Sequence, residues 1–339
     1  MNKKILLTGD RPTGKLHLGH YVGSLANRLK FQKEYNCFFI IADYQVLTDH
    51  LQDTKQVPQN VEEVILDWLS IGLDPKQSTF FIQSAVPQLA ELTMYFSMLV
   101  TIARLRRNPT IKSEAQNVRV DSNKDNITYG FLGYPVSQAA DILLFRPDIV
   151  PVGEDQLPHI EQTREIADKF NSLFGKVFKL PKAIVSENSR LPGLDGKNKM
   201  SKSLGNAIYL SDSADEVKKK VMTAYTDPTR IRATDPGHLQ GNVVFTYLDA
   251  FHPNKKELNL LKQRYQKGQV GDVEVKKILI DVLNDFLDPI HKRRQEFEKN
   301  KKYLKTILTE GCEQARAVGE KTMVEVRKAV HYDYPELLG

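Results

Sequence analysis

The sequence predicts an α/β protein: a doubly wound, parallel, Rossmann-like sheet followed by an α-helical domain. In the first half of the 339 residues, short apolar runs alternate with segments of helical periodicity, as is typical of a parallel sheet covered by helices. A glycine-containing segment separates the first apolar run from the first helical segment. From about residue 211 onwards the strand patterns stop and helical patterns continue alone. A chain of this length can form two domains, each with its own core.

The four strand patterns are short apolar runs that suit buried strands of a parallel sheet. They cover residues 5–7, 38–41, 80–82 and 149–152. The helical segments carry apolar residues at spacings of three and four, and they cover residues 18–35, 59–72, 88–107 and 157–174. Alternation in this order predicts the doubly wound sheet.

The second part of the chain is predicted to be helical. Ser213 and Glu216 fit a capping box, in which the serine caps a helix and the glutamate reaches back to the cap. Further helices are predicted over residues 255–267, 271–298 and 312–331. We place the boundary between the two domains after residue 206.

Composition excludes several classes of protein. The hydrophobic fraction of 41% and the charged fraction of 27% are ordinary for a globular protein, and no apolar run approaches the ~20 residues that span a bilayer. Cys37 and Cys312 lie far apart and form no CxxC, so neither a disulfide framework nor a zinc site is indicated. We therefore expect a cytoplasmic protein with no membrane partner.

The net charge of +6 is spread evenly, with +3 in residues 1–210 and +3 in residues 211–339. Neither part is a strongly basic nucleic-acid module, and we expect no DNA partner. A local basic run consists of Lys292, Arg293, Arg294, Lys299, Lys301, Lys302 and Lys305. Such a run is either a solvated helix face or a surface for RNA phosphates.

The segment after the first strand, GDRPTGK at residues 9–15, has the character of a phosphate-binding loop. Glycine lets the backbone approach a ligand closely, and the helix start that follows attracts phosphate. The segment also satisfies the GxxxxGK opening of a Walker A loop. However, Leu16 stands where that motif has a Ser or Thr hydroxyl for Mg²⁺, so a P-loop NTPase is the weaker interpretation.

An HxGH motif follows, with His17 and His20 at the start of the first helix. Two imidazoles three residues apart share a helix face, and Gly19 leaves room between them. Such a pair can donate hydrogen bonds to phosphate oxygens. An isolated HxGH could also bind a metal or occur by chance, but its place after the loop favours phosphate.

A KMSKS motif lies just before the helical domain, at residues 199–203. Its two ammonium groups, on Lys199 and Lys202, can close over a polyphosphate as negative charge develops on it. An HxGH followed by KMSKS at a domain junction is hard to attribute to chance. Since the sequence suggests no Ser-His-Asp or Cys-His arrangement, we expect catalysis by positioning and charge stabilisation.

These two motifs are the signatures of the class I aminoacyl-tRNA synthetases, which the chain resembles over nearly its whole length. Within that family it is most similar to the tryptophanyl enzymes. The further segments that carry this resemblance are EYNC at 34–37, AADILL at 139–144 and DIVPVGEDQ at 148–156, the last followed by LPHIE. The chain departs from the common family pattern at Arg11, His20 and Gln45.

The resemblance implies an ATP-dependent ligase that forms tryptophanyl-adenylate and pyrophosphate, then transfers tryptophan to the 3′ end of tRNA(Trp). The catalytic residues would be His17, His20, Lys112, Lys199 and Lys202. The other residues of the ATP site would be Gly9, Asp10, Arg11, Thr13, Gly14, Gly19, Gly153, Asp155, Met200, Ser201 and Ser203. Mg²⁺ would accompany ATP, held by phosphate oxygens and water with no protein side-chain ligand.

The tryptophan pocket must satisfy an indole N–H, which is a donor only and needs one acceptor when buried. By resemblance, Asp141 supplies that acceptor. Apolar walls would come from Leu7, Val150 and Val152. Gln156 and Tyr134 would contact the amine and carboxylate of the amino acid, and the set is completed by Gly9, Gln45 and Gln138.

The resemblance also implies a symmetric homodimer, with tRNA crossing from one subunit's active site to the other's helical domain. Residues 1–206 would be catalytic, and residues 207–339 would bind the anticodon arm, with the last helix packing back on the catalytic domain. The alternatives are a tyrosyl-type synthetase, a relative that forms the adenylate for another acceptor, and a catalytically silent paralogue. The retention of both Lys199 and Lys202 counts against a silent copy.

Overall fold

A computed structural model describes residues 3–48, 51–117, 127–185, 191–201, 204–227, 229–230, 232 and 234–338. Its centre is a five-stranded parallel sheet, and the strands are β1 (Ile5–Asp10), β2 (Asn36–Ile41), β3 (Ser78–Ile82), β4 (Ile149–Val152) and β5 (Lys182–Val185). Their order is β3-β2-β1-β4-β5. The doubly wound α/β prediction is confirmed. The strand order reverses between β1 and β4, and such a switch point is where open α/β sheets bind ligands.

The helices of the α/β region cover both faces of this sheet. The first, α1 (Leu18–His20), continues through a π-helical turn at Tyr21–Leu25 into α2 (Ala26–Glu34). The others are α3 (Val57–Ile71), α4 (Pro87–Ser97), α5 (Ile102–Arg106), α6 (Pro109–Asn117), α7 (Tyr129–Leu144) and α8 (Leu157–Phe174). After them come α9 (Ala214–Met222), α10 (Val243–Phe251), α11 (Lys255–Gln266), α12 (Asp272–Glu298), α13 (Lys301–Ala329) and α14 (Pro335–Leu338). No described helix is long and apolar enough to cross a membrane.

Most of the predicted elements are present, and α8 has the predicted bounds. The single helix predicted over residues 88–107 is wrong, because α4 ends at Ser97 and Thr101 caps a new helix by accepting a hydrogen bond from the Arg104 N–H. The last long helix starts well before the predicted residue 312, because Asn300 caps it through the Tyr303 N–H. Strand β5 was not predicted, since its side chains are alternately half-buried and exposed and form no apolar run.

The capping box of α9 is confirmed. The Glu216 N–H donates to Ser213 Oγ at 3.3 Å, and the Ser213 N–H donates to Glu216 Oε2 at 2.7 Å. This reciprocal pair satisfies two of the backbone donors that a helix start leaves without partners.

The sheet separates two apolar cores because neighbouring side chains of a strand point to opposite faces. Phe39 and Phe80 pack with Trp68 of α3 on one face, while Phe38 and Phe81 pack on the other. Helix α13 contributes to both cores: Leu304 and Ile307 join the first, whereas Cys312, Ala315 and Met323 join the second. It therefore runs from one face of the sheet to the other.

Helix α13 passes the sheet at β3. A Cβ atom on Gly311 would overlap the carbonyl oxygen of Phe80, so the helix backbone lies directly against the strand. One residue later, Cys312 Sγ accepts a hydrogen bond from the Ile82 N–H at 3.4 Å. The glycine is required here by close packing, since only hydrogen fits at its α-carbon.

Part of the basic run makes contacts within the chain. Arg294 is buried and forms an ion pair with Asp67 of α3 at 2.6 Å. Arg293 donates from Nε to the Ser70 carbonyl oxygen at 2.5 Å, and Lys301 lies 3.1 Å from Glu62. The interpretation of the run as a solvated or RNA-binding face is therefore wrong for the buried Arg294. Arg293 and Lys301 also join α12 and α13 to α3, but the Lys301 side chain remains 76% exposed.

We predict that Gly311→Ala destabilises the protein by about 1–3 kcal/mol, because the added methyl group must push α13 away from β3. Thermal unfolding of the purified variant measures this. Gly130→Ala is the matched control, since a Cβ there meets nothing within 4 Å and Gly130 lies in a helix, where alanine is the better residue. Equal unfolding temperatures for the two variants would contradict the close packing.

Candidate functional site

A pocket of about 1130 Å³ opens at the carboxyl ends of β1 and β4, at the switch point of the sheet. The first turns after these strands, the π-helical turn, α2 and α7 surround it. Twelve of the predicted site residues line it: Leu7, Gly9, Asp10, Arg11, Gln45, Tyr134, Gln138, Asp141, Val150, Val152, Gly153 and Gln156. The structure thus brings together residues that lie up to 149 positions apart in the sequence.

Asp141 is the buried carboxylate of this pocket, with 5% of its surface exposed. Gln83, which is fully buried after β3, donates from Nε2 to both carboxylate oxygens at 2.8 Å. Burial raises the pKa of Asp141 to about 7, while the hydrogen bonds from Gln83 act in the opposite direction. The Gln83 side chain is held in turn, because its Oε1 accepts the Tyr44 N–H at 3.0 Å.

The apolar wall around Asp141 comes from β1 and β4. Leu7 and Val150 are buried members of the core on this face, and Val152 packs against it. An aromatic ring with one polar N–H fits such a surface, because its carbons meet methyl groups while the N–H meets the carboxylate.

A second polar group lies around the Tyr134 hydroxyl. This hydroxyl donates to Glu114 Oε2 at 2.7 Å and lies 3.0 Å from His159 Nε2. On the other side of the ring, His159 Nδ1 faces Asn108 Nδ2, a donor, at 3.3 Å. His159 Nδ1 is therefore the acceptor, and its Nε2–H donates to the tyrosine oxygen.

Burial also keeps His159 neutral. The residue has no exposed surface, and burial lowers the pKa of its imidazole to about 4. It is neutral near pH 7 and orients Tyr134 without adding a positive charge. Gln138 Nε2 also donates to Gln156 Oε1 at 3.4 Å, and both amides line the same pocket as Tyr134.

The loop after β1 is held from below by a buried ion pair. Arg28 is 1% exposed and donates from Nη1 and Nη2 to the two carboxylate oxygens of Asp10, at 2.7 and 3.0 Å. Trp68 donates from Nε1 to Asp10 Oδ2 at 2.8 Å. Burial acts to raise the pKa of Asp10, but Arg28 keeps it below its usual value. The Asp10 carboxylate is thus engaged within the protein, and the pocket has access to the edge of this cluster.

Gly9 and Gly14 of this loop are each required, but for different structural reasons. Gly14 has φ = 110°, a conformation that other residues rarely adopt. At Gly9, a Cβ atom would overlap the carbonyl oxygen of Ile40 on β2. Gly9 is therefore required by the close approach of neighbouring strands as well as by its position in the pocket wall.

The two histidines of the HxGH motif stack at the start of α1, with ring centroids 3.8 Å apart. His20 Nδ1 accepts the backbone N–H of His17 at 3.1 Å. A nitrogen that accepts carries no proton, so His20 is the neutral tautomer with its proton on Nε2. That N–H is the donor that the ring can offer to an anion at the helix start.

The KMSKS segment lies against the HxGH motif. The Gly19 N–H contacts Met200 Sδ at 3.3 Å, and a Cβ on Gly19 would meet both Met200 and His17. Asn206 fixes the segment from the other side, since its Oδ1 accepts the Ser201 N–H at 2.8 Å and its Nδ2 donates to the Lys199 carbonyl oxygen. The two motifs, 181 residues apart, form one surface.

Several predicted residues do not line the pocket. The Lys199 side chain is exposed, and Lys112 and Asp155 are exposed on α6 and on the turn before α8. Thr13 and Gly14 lie in the loop beside it. Lys202 and Ser203 lie outside the described residues. Leu16, where a Walker A loop needs a hydroxyl, is 1% exposed and packs in the core, which removes the P-loop interpretation.

Sequence reasoning missed the residues that support the site from behind. They are Gln83, Glu114, His159, Arg28, Trp68 and Asn206. Each acts through a contact with a residue distant in the sequence, so spacing alone carries little sign of it. Gln83 had the clearest sign, since it is a polar residue directly after a buried strand.

The described residues offer no cage of side chains for a metal ion. In the described parts of the chain, no group of three or more His, Cys, Asp or Glu side chains is arranged to hold a metal ion. The pocket lining does include the cationic side chains of Arg11, Arg28 and Lys30, whereas the predicted residues His17, Gly19, His20, Met200 and Ser201 are not part of it.

Comparison with known proteins gives one consistent family. Residues 2–288 match the family described as tRNA synthetases class I (W and Y). The chain is 52% identical over 339 residues to the tryptophan–tRNA ligase of Clostridium longisporum, covering 98% of each chain. Against the tryptophan–tRNA ligase of Streptococcus pyogenes it is 52% identical over 342 residues, covering 98% of this chain and all of the other.

A solved structure of the same family is also similar to this chain. The tryptophanyl-tRNA synthetase of Campylobacter jejuni, complexed with ADP and tryptophan, superimposes with a TM-score of 0.85 at 32% identity. The match covers 96% of this chain and 99% of the other.

The raised pKa of Asp141 predicts a pH effect on stability. The folded carboxyl keeps its proton up to about pH 7, whereas the unfolded one releases it near pH 4. The wild type therefore loses stability as the pH rises through this window, and Asp141→Asn escapes that loss. Relative to wild type, the variant gains up to about 1.4 kcal/mol per pH unit between about pH 4 and 7.

Denaturant unfolding of both proteins at a series of pH values measures this difference. Burial also raises the pKa of Asp67 to about 7. Asp67 is present in both proteins, so its contribution to the pH dependence cancels in the comparison. A relative stability that stays constant or falls across the window would show that the Asp141 carboxyl is ionised throughout.

Proposed function

This chain belongs to the class I tRNA synthetases of the tryptophan and tyrosine group, and we propose that it forms the aminoacyl-adenylate in the pocket between β1 and β4. Its activity is that of a tryptophan–tRNA ligase, an ATP-dependent enzyme that joins tryptophan to tRNA(Trp). The roles of the individual residues are the subject of the proposal.

The observation that carries the assignment of the pocket is the buried pair of Asp141 and Gln83. Gln83 occupies one side of each Asp141 oxygen and fixes the plane of the carboxylate. The carboxylate can then accept the indole N–H, while Leu7 and Val150 contact the ring. An amino acid without this donor would leave a buried acceptor unsatisfied, at a cost of about 1–3 kcal/mol.

The amino acid backbone is bound at the Tyr134 end. The ammonium group requires acceptors, and Glu114 Oε, Gln156 Oε1 and the Tyr134 oxygen supply them. His159 holds Tyr134 by a hydrogen bond and stays neutral, so it does not repel the ammonium group. The substrate carboxylate is thereby directed toward the HxGH end of the pocket.

At that end, ATP is bound for in-line attack of the carboxylate on its α-phosphorus. The bond from that phosphorus to the bridging oxygen breaks, and pyrophosphate leaves with the electron pair. The start of α1 and the His20 Nε2–H supply donors to the phosphate oxygens. Lys199, on the segment that touches Gly19 through Met200, supplies positive charge as the pyrophosphate departs.

Mg²⁺ accompanies ATP in this proposal. The donor set fits a metal held by phosphate oxygens and water, because the described residues contain no carboxylate cage and Asp10 is engaged by Arg28. When bound, the ion neutralises charge on the leaving pyrophosphate.

The partner in the second step is tRNA(Trp), whose 3′-terminal ribose hydroxyl attacks the adenylate carbonyl and releases AMP. We propose that residues 207–339 bind the anticodon arm and that the enzyme acts in the cytoplasm, where it supplies translation. Within the basic run, Arg294 is buried against α3 and cannot contact the tRNA.

We predict that pyrophosphate–ATP exchange, measured with each of the twenty amino acids and without tRNA, proceeds with tryptophan alone. In Asp141→Asn, one carboxylate oxygen becomes an N–H donor that faces Gln83 or the indole. The KM for tryptophan should rise about 10- to 100-fold while the KM for ATP stays near the wild-type value. Steady-state exchange kinetics measure both constants.

Asp148→Asn is the matched control for this prediction. Its carboxylate also accepts a hydrogen bond, from the Ile5 N–H at 2.9 Å, but it lies at the amino end of β1 and away from the pocket. Its kinetic constants should match the wild type. Exchange with tyrosine in place of tryptophan would assign the pocket to a phenol, and no exchange with any amino acid would indicate a silent paralogue.

We also propose a homodimer, supported by apolar side chains exposed on α4, at its C-terminal end and at the start of α5. Met94, Met98 and Ile102 are 61%, 72% and 62% exposed. An exposed apolar surface of this kind on a protein of ordinary composition favours an interface with a second copy.

Light scattering coupled to size-exclusion chromatography tests the dimer. The wild type should have twice the chain mass of 38.6 kDa at micromolar concentration. Met98→Glu should dissociate it, because the charge loses water at the interface. Leu260→Glu, at a similarly exposed residue on α11 (61%), should remain dimeric. A monomeric wild type would be incompatible with the proposed interface.

A further inference from the structure

The residues that lead into the HxGH motif are fixed on one side by the chain that follows KMSKS. Here we call residues 16–18 the phosphate segment. The Leu18 N–H donates to the Ile208 carbonyl oxygen, and the Leu210 N–H donates to the Leu16 carbonyl oxygen, both at 2.9 Å. His17 and Tyr209 face each other in this short antiparallel bridge. The Leu16 side chain is 1% exposed and cannot turn out of the core.

On its other side, the phosphate segment is held by a side chain of α3. The Leu16 N–H donates to Asp67 Oδ2 at 2.7 Å, and Asp67 has no exposed surface. The next residue of α3, Trp68, donates to Asp10 at the start of the same loop. Two consecutive residues of one helix thus hold the two ends of the loop formed by residues 10–16.

The second oxygen of Asp67 accepts from Arg294 of α12. The distance from Arg294 Nη1 to Asp67 Oδ1 is 2.6 Å, and the guanidinium also contacts Glu63 and Glu298. Burial alone would lower the pKa of Arg294, but Asp67 and Glu63 hold it above its usual value. A charge-assisted hydrogen bond in a buried position is short and directional, so it fixes the carboxylate plane.

A continuous chain of contacts therefore links the second half of the molecule to the phosphate end of the site. It runs from Arg294 to the Asp67 carboxylate, to the Leu16 N–H and, by the peptide backbone, to His17. None of these contacts reaches the Asp141 end, which lies among residues packed on the opposite face of the sheet. The two halves of the active site are thus supported by separate sets of contacts.

We propose that Asp67 and Arg294 are positioning residues of the adenylation reaction, which hold Leu16 so that His17 and His20 meet the ATP phosphates, and so couple α12 to the site. This inference rests on the proposed function. It predicts a selective defect: loss of the pair impairs the use of ATP and leaves tryptophan binding intact.

The test is pyrophosphate–ATP exchange by the full-length protein with Arg294→Met. We expect kcat/KM for ATP to fall at least tenfold, with the KM for tryptophan within twofold of wild type. Arg294→Lys should recover part of the loss, because it restores the charge but cannot reach Asp67, Glu63 and Glu298 from three separate nitrogens. Asp67→Asn should show the same selective defect, and the double variant should be no worse than the poorer single variant.

Arg293→Met is the matched control. Arg293 is the neighbouring arginine on α12 and also bonds to α3, through the Ser70 carbonyl oxygen, but it does not touch Asp67 in any hydrogen bond of the described residues. Thermal unfolding of each variant measures how much stability is lost. The exchange constants of Arg293→Met should stay within twofold of wild type even if its unfolding temperature falls.

The outcomes are distinct. Wild-type kinetics in Arg294→Met, or equal defects in Arg293→Met and Arg294→Met, would reduce the pair to a structural contact and overturn the proposal. An equal rise in the KM values of ATP and tryptophan would do the same. Should Arg294→Met not fold, Asp67→Asn carries the test, since asparagine keeps an acceptor for the Leu16 N–H. A wild type without exchange would instead refute the proposed function, and this inference with it.

Discussion

The buried ion pair of Asp10 and Arg28 is the interaction on which the pocket depends. The guanidinium satisfies Asp10, the Gly9 carbonyl oxygen and Ser24 Oγ, and it lies over the neighbouring rings of Phe39 and Trp68. A buried pair contributes little net stability when complete, but removal of one partner leaves an uncompensated charge and costs about 3–5 kcal/mol. The pair therefore fixes the end of β1 to α2 and α3 at one geometry, and the loop that follows inherits that geometry.

The pocket has two chemically different ends because β1 lies at the switch point. Toward β4 and α7 the groups are apolar walls, the Asp141 carboxylate bonded to the Gln83 amide, the Glu114 carboxylate bonded to the Tyr134 hydroxyl, and a neutral histidine behind that tyrosine. The loop after β1 and α2 contribute the cationic side chains of Arg11, Arg28 and Lys30. An amphipathic substrate that carries a carboxylate is directed from the first end to the second, where an anionic co-substrate meets it.

The sequence was sufficient for the fold class, for four of the five strands and for twelve of the residues that line the pocket. Glycine, histidine and lysine motifs are local, and the helix of Asp141 could be recognised from its neighbours. It was insufficient for Gln83, His159 and Asn206, because each is defined by a partner that only the fold brings near. The basic run illustrates the same limit: whether Arg294 faces solvent or Asp67 depends on how α12 packs on α3.

The passage of α13 across β3 also has a meaning for solubility. β3 is the last strand of the sheet on its side, and its outer carbonyl and N–H groups at Phe80 and Ile82 face Gly311 and Cys312 rather than water. An uncovered strand edge is a template for pairing with other chains. Helix α13 thus covers that edge. A chain that stops before residue 301 would expose the edge of β3 to pairing with other chains during and after synthesis, and we expect it to self-associate.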